Sequence, residues 1–259
     1  MFTASGDAYA RFVGRYGSAL ARALLAEAGV SADQRVLDVG CGPGPLAAEA
    51  ATIVGEERVA AVDPSEAFVE ACRARLPWAD VRVAAAESLP FAGGSFDVVL
   101  SQLVVNFMAD APAGAAEMRR VAVPGGVVAS CVWDYAGGMR MLRAFWDAAL
   151  AVDPTGAGPY DEGRTMRYST APELERLWQA AGLEEVRTSA LDVEAEYESF
   201  EDLWEPFTFG IGPAGAYTAS LDGDRREAVR ERLRSALGEP AGAFQLTARA
   251  WCVVGKVPG

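Results

Sequence analysis

Two periodicities divide the chain. Phe12, Val13, Tyr16, Leu20 and Leu24, with Tyr9 before them, recur at three- and four-residue spacing, which puts them on one face of a helix that stops near Gly29. Short apolar runs then alternate with helical stretches. Arg35–Val39, Arg58–Val62, Val81–Ala84, Phe96–Leu100 and Gly126–Trp133 read as strands, and 46–54 and 65–76 as helices, with Ser65 a suitable N-cap. Near-continuous runs such as Val98-Val99-Leu100 suit strands covered on both faces, as in parallel sheets. This alternation predicts right-handed crossovers and a doubly wound α/β sheet. Beyond Trp133 the pattern changes. Leu191, Val193, Ala195 and Tyr197 alternate with acids, and Phe244, Leu246, Ala248 and Ala250 with polar residues, so these are one-sided strands antiparallel to each other at the sheet edge. Residues 135–172 and 200–243 fall outside the sheet and are expected to form a cap over it, including an Arg-rich helix near 224–237.

Composition narrows the function. Of 259 residues, 51% are apolar, enough for a sizeable core. The formal charge of −13 repels phosphate backbones, which argues against nucleic acid as a partner. The chain contains no His, so no imidazole base, triad or His-ligated metal is available. Cys41, Cys72, Cys131 and Cys252 have no CxxC spacing, which makes a zinc or redox motif unexpected. No leader-like start and no membrane-length apolar run is present, so a cytoplasmic setting with free thiols is expected.

The chemistry centres on Val36-Leu37-Asp38-Val39-Gly40-Cys41-Gly42-Pro43-Gly44. A strand enters three glycines at alternate positions and leaves into a helix, an arrangement that brings backbone close to a ligand. The dinucleotide fingerprint GxGxxG would need glycine at position 45, which is Pro45. Asp63 ends the second strand, where a carboxylate can accept from two ribose hydroxyls. A nucleoside-containing ligand without a cradled pyrophosphate follows.

These residues resemble the class I S-adenosylmethionine-dependent methyltransferases, of the small-molecule type with a ubiquinone/menaquinone-methyltransferase-like core. Leu37–Gly44 is similar to that family's first motif and Asp63-Pro64-Ser65 to its second. Ala86-Glu87-Ser88-Leu89-Pro90-Phe91 resembles its AExLPF element, Phe96-Asp97-Val98-Val99 opens its fourth strand, and Arg120-Val121 with Pro124-Gly125-Gly126 resembles the turn before its fifth. The likeness covers about residues 10–134. It implies one Rossmann-like domain over residues 1–259: an N-terminal helix (1–30), a cofactor core (31–134), a seven-stranded mostly parallel sheet with its last strand antiparallel, and helical cap insertions.

The resemblance also implies site roles. Gly40, Cys41, Gly42 and Gly44 would cradle the methionine part of S-adenosylmethionine, with Asp38 near its ammonium. Asp63 and Pro64 would face the ribose, Ala86 and Glu87 the adenine, and Ser101 and Gln102 the sulfonium. Gly14-Arg15-Tyr16 resembles an element that reaches the cofactor carboxylate. Two positions depart from the pattern. Ala85 replaces a frequent Asp, which removes an adenine contact worth about 1 kcal/mol. Asn106 stands where relatives often carry His. Bland roles stand beside several of these: Asp38 as a tie for loop amides, Asp63 as a helix cap, Arg15 as surface and Tyr16 as core.

Methyl transfer to a small-molecule acceptor by in-line displacement is the expected activity, with S-adenosylhomocysteine as product and no metal. Asn106, Trp133, Trp146, Trp204 and Phe207 are candidate acceptor contacts, although aromatic residues of this kind also build cores. Asp134 is the candidate base, or else a loop cap. O-, N- and C-methylation remain open. So do a protein methyltransferase acting on a basic substrate, an NAD-type oxidoreductase, and a non-catalytic module of the same fold.

Overall fold

A computed structural model describes residues 12–259; Tyr9, expected on the first helical face, lies outside the described residues. Seven strands form one sheet: β1 (Val36–Val39), β2 (Val59–Asp63), β3 (Asp80–Val83), β4 (Phe96–Gln102), β5 (Ala122–Trp133), β6 (Glu184–Tyr197) and β7 (Phe244–Lys256), in the order β3-β2-β1-β4-β5-β7-β6. The first five are parallel, and β7 runs antiparallel. The sequence predicts such a seven-stranded, mostly parallel sheet with its last strand antiparallel. Strand order reverses between β1 and β4, so their carboxyl ends open at a topological switch point, where such sheets bind ligands.

Burial explains the strand assignments. Every residue of β1 and β2 is buried, consistent with central strands covered on both faces. From Leu191 to Tyr197, β6 alternates strictly between buried and exposed positions. Both late strands are longer than the alternation alone suggests. The first half of β6 is largely wet on both faces, and β7 ends in the buried run Cys252-Val253-Val254. In neither stretch does burial alternate.

The helices are α1 (Gly17–Glu27), α2 (Pro45–Val54), α3 (Glu66–Arg75), α4 (Ala111–Val121), α5 (Arg140–Val152), α6 (Ala171–Ala180), α7 (Gly212–Ser220) and α8 (Gly223–Ala236), with shorter turns between them. The first helix is not continuous from Tyr9. Val13–Tyr16 is a 3-10 turn, and α1 begins only at Gly17. Gly14 and Gly17 weaken α-helix there. At its other end Gly29 (φ 70°) closes α1: its amide reaches Ala26 O at 3.1 Å and the Val30 amide reaches Leu25 O at 3.0 Å, a Schellman cap. Ser65 caps α3 as expected, accepting from the Phe68 amide.

Two helices had no clear periodic signal. The buried face of α4 is Ala111, Gly114, Ala115, Met118 and Val121, too small in side chain to stand out as an apolar stripe; Asp110 caps it. In α6 the stripe is only Leu174, Leu177 and Trp178, and the Trp178 indole N–H donates to Val128 O at 3.0 Å.

The chain divides into two compact units. Among the described residues, one comprises 12–16, 133–166 and 192–249, and the other 17–132, 167–191 and 250–259. The first contains most of the expected cap and the second the glycine loop. The four cysteines are free and buried. Among the described residues, no helix is long and apolar enough to cross a membrane.

Candidate cofactor site and aromatic unit

The glycine loop is pinned from both sides. The amides of Gly40 and Cys41 both donate to Val62 O, at 2.8 and 2.9 Å, which fastens the turn to β2. Gly40, Gly42 and Gly44 have φ of 78°, 52° and 87°, all left-handed. Their surroundings differ. A β-carbon on Gly40 would lie 2.5 Å from Val104 Cγ2, and one on Gly44 would lie 2.8 Å from Cys72 Sγ; on Gly42 it would meet nothing within 4 Å. Gly40 and Gly44 are therefore needed by packing. Gly42 leaves backbone open for close approach.

Asp63 joins this loop to the next. Its Oδ2 accepts from the Gly42 amide and its Oδ1 from the Ser65 amide, each at 2.9 Å. Burial raises its pKa, and the amides of Ser65 and Gly42 oppose that rise by stabilising the anion. A carboxylate has about four lone-pair directions, so each oxygen keeps acceptor capacity for a hydroxyl. Pro64 beside it is exposed. Asp38 is fully buried, and its Oδ2 accepts from the Ala47 amide in the first turn of α2 at 3.1 Å. Burial, then the neighbouring Cys72, hold its carboxyl well above the usual range. The contact seen is the tie between loop and helix.

Ala86 is buried, and Glu87 Oε1 accepts from the Asp110 amide at 3.1 Å, linking its loop to the cap of α4. At the end of β4, Gln102 donates through Nε2 to Gly17 O at 3.1 Å. Ser101 Oγ and Gln102 Oε1 are buried with no partner among the described residues. Unpaired buried acceptors at a strand's carboxyl end suit a polar ligand. Three participants carried no sequence signal. Leu103 takes the left-handed conformation (φ 63°) directly after β4, and such strain is concentrated at functional sites. Val104 and Cys72 fill the space that Gly40 and Gly44 leave.

The other unit holds the remaining candidates except Asn106. Arg15 makes a forked pair with Asp202, Nη1 to Oδ2 at 3.0 Å and Nη2 to Oδ1 at 3.1 Å, and its guanidinium lies 4.2 Å from the centre of the Tyr197 ring. Asp202 is the anion it meets within the chain. Tyr16 is wholly buried, shares a 3.0 Å hydroxyl contact with Tyr197 and packs edge-on to Trp133. Phe207 stacks on Phe145 at 4.3 Å and touches Trp204 and Phe12, while Phe145 meets Trp146. Trp146, Trp204 and Phe207 are thus a packed aromatic core. Trp133 differs, because its buried indole N–H has no acceptor among the described residues. Asp134 Oδ2 accepts from the Gly138 amide at 3.0 Å, a loop-closing contact. Asn106 is half-buried in the 3-10 turn Val105–Phe107.

Residues 37–130 match the methyltransferase domain family. Over 194 residues the chain is 32% identical to the malonyl-(acyl-carrier protein) O-methyltransferase of Geobacter sulfurreducens, covering 74% of this chain and 70% of that one. The chain is an S-adenosylmethionine-dependent methyltransferase. It is also 30% identical over 179 residues to the ubiquinone biosynthesis O-methyltransferase of Agrobacterium fabrum, covering 66% of each chain. The YcgJ protein of Bacillus subtilis shares the fold at a TM-score of 0.57 and 17% identity, covering 94% of this chain and 99% of that one. The methyl donor is S-adenosylmethionine, which displaces the nicotinamide reading.

One buried acid in this methyltransferase lies outside the cofactor motifs. Glu162 Oε2 accepts from the Trp146 indole N–H at 2.9 Å, beside Asp161, which pairs with Arg143. Burial pushes its carboxyl up to about 7, against 4.5 for the free group. Between these values the folded chain holds a proton that the unfolded chain has lost. The stabilisation is complete below about 4.5 and is lost as pH rises through 7. From pH 5 to 8 the wild type is expected to lose on the order of 2 kcal/mol relative to Glu162→Gln. Urea unfolding of both proteins across that range checks this; parallel curves would refute it.

Proposed function

We propose that the enzyme methylates an oxygen of a small-molecule acceptor, one that is already anionic at neutral pH: a carboxylate, or an acidic phenol or enol. The observation that carries this reading is the lack of any His in the chain, taken together with the O-methyltransferases at 30–32% identity. A neutral hydroxyl needs a base with a pKa near the working pH, and imidazole is the usual one. The nominated carboxylate, Asp134, is engaged in closing its own loop, so we assign it no proton transfer. An ionised acceptor needs none.

The residues present fit the cofactor. In our reading, Gly40–Gly44 hold its amino-acid end along the open backbone at Gly42, with Asp38 at the mouth of α2. Asp63 takes the ribose hydroxyls on its remaining lone pairs, and Ala86 and Glu87 border the adenine. Ser101 and Gln102 offer their unpaired oxygens at the end of β4. S-adenosylmethionine supplies a methyl group already activated on a sulfonium, so the protein's work is alignment and exclusion of water. The buried thiols suit a reducing cytoplasm.

The test is transfer of radiolabelled methyl to panels of carboxylic acids, phenols and amines between pH 6 and 9. Transfer to oxygen is expected, with a rate level across this range for a carboxylate and, for a phenol or enol, rising through the acceptor's own pKa and then staying level. Exclusive methylation of amines or carbon would overturn the reading.

A further inference from the structure

At the amino-terminal edge of the parallel strands, the end of the sheet away from the glycine loop, lies a cavity of about 480 Å³. It is lined by Gly94 ahead of β4, Ala116, Arg119 and Arg120 of α4, Pro124 of β5 and Val257 after β7, among others. Two cations line it and no carboxylate does, although the chain carries 36 acids against 23 bases.

The two arginines are in different states. Arg120 is fully engaged, donating to Leu89 O at 3.1 Å and Phe91 O at 2.9 Å and pairing with Glu117. Its guanidinium holds the loop before β4. Arg119, half-buried, forms no side-chain hydrogen bond or ion pair among the described residues, and its Nε is buried without an acceptor. Arg226 and Arg234 also leave Nε unpaired. However, Arg226 donates to Leu221 O, and Arg234 lies near the Phe200 ring. The Arg119 guanidinium packs against Gly182 (φ 78°), where a β-carbon would lie 3.4 Å from its Cζ. A buried donor with no acceptor is costly and rare in native proteins unless water or a ligand supplies one. The cavity is also larger than a water site and within the range of small-ligand sites.

We propose that this cavity binds a small organic anion, a carboxylate or phosphate monoester whose head pairs with Arg119 and whose apolar body lies on Ala116, Pro124 and Val257. A planar fork of donors suits both heads. The apolar wall favours an organic anion over an inorganic one. The site is separate from the methyl-transfer machinery, which lies at the opposite strand ends, and does not depend on the acceptor assigned above.

The experiment is calorimetric titration of the full chain, at low salt, with phenyl phosphate, benzoate and inorganic phosphate. At least one organic anion should bind with one-to-one stoichiometry and a Kd below about 1 mM, more tightly than inorganic phosphate, and weaken as salt rises. Phenyl phosphate binding better than benzoate would identify a phosphate head, and the reverse a carboxylate. Arg119→Gln should weaken binding at least tenfold and Arg119→Lys less, while S-adenosylhomocysteine binding, measured in the same variants, stays at the wild-type value. Asp63→Ala should leave anion binding unchanged. No saturable binding of either organic anion to the wild type, or equal binding by Arg119→Gln, would overturn the proposal. Inorganic phosphate binding as tightly as both organic anions would remove the apolar part of the site.

Discussion

Asp63→Ala should abolish measurable cofactor binding while leaving a folded protein. The carboxylate makes two kinds of contact. Towards the protein it accepts the Gly42 and Ser65 amides, each at 2.9 Å. Towards the cofactor, in our reading, it accepts two ribose hydroxyls. Hydrogen bonds to a charged group contribute about 1.5–3 kcal/mol each, so losing the ribose pair alone weakens binding by at least about 100-fold. The freed amides would also let the glycine turn relax away from β2. Asp63→Asn keeps the shape and one acceptor oxygen, so it should lose less. Titration with S-adenosylhomocysteine, with thermal unfolding alongside, separates the effects. Wild-type affinity in a folded Asp63→Ala protein would remove Asp63 from the site.

The second large effect is a contrast within the loop. Gly40→Ala puts a methyl 2.5 Å from Val104 Cγ2 on a backbone at φ 78°. Left-handed conformation costs a non-glycine residue about 1–2 kcal/mol, and forced overpacking a further 1–3 kcal/mol. A loss of about 2–5 kcal/mol is expected. Gly42→Ala meets nothing within 4 Å, so only the conformational cost of about 1–2 kcal/mol applies to folding. Its penalty should appear instead in ligand affinity, because in our reading the open space above Gly42 is where backbone approaches the cofactor. Urea melts and ligand titrations of both variants check the pair. Equal destabilisation by the two would show that Val104 is not the constraint.

How much of this could be read from the sequence depends on the kind of signal. The glycines, Asp63 and the buried central strands β1, β2 and β4 announce themselves because backbone conformation and two-sided burial restrict residue choice locally. The sheet and its cofactor followed from them. The helix α4 was silent because alanine and glycine supply its buried face. The roles of Val104 and Cys72 were silent for another reason. Each is ordinary in its own segment and matters only through a glycine more than 25 positions away. Arg15 shows a contact that its own segment does not announce. Its partner in the chain is Asp202, 187 residues later. The nominated aromatic residues were legible as a group. Only the structure separates Trp133, with its unpaired N–H, from Trp146, whose N–H is taken by Glu162.

The four unpaired thiols give the molecule a built-in set of clocks. Cys41 sits in the glycine turn, Cys72 on the helix behind it, Cys131 in β5 and Cys252 in β7. All are shielded, so an alkylating reagent reaches each only when its own surroundings open. Peptide mapping of the labelled sites would time those openings separately, without introducing a dye or a mutation. Because two of the four border the glycine loop and two lie in strands, one reagent distinguishes breathing of the loop from fraying of the sheet.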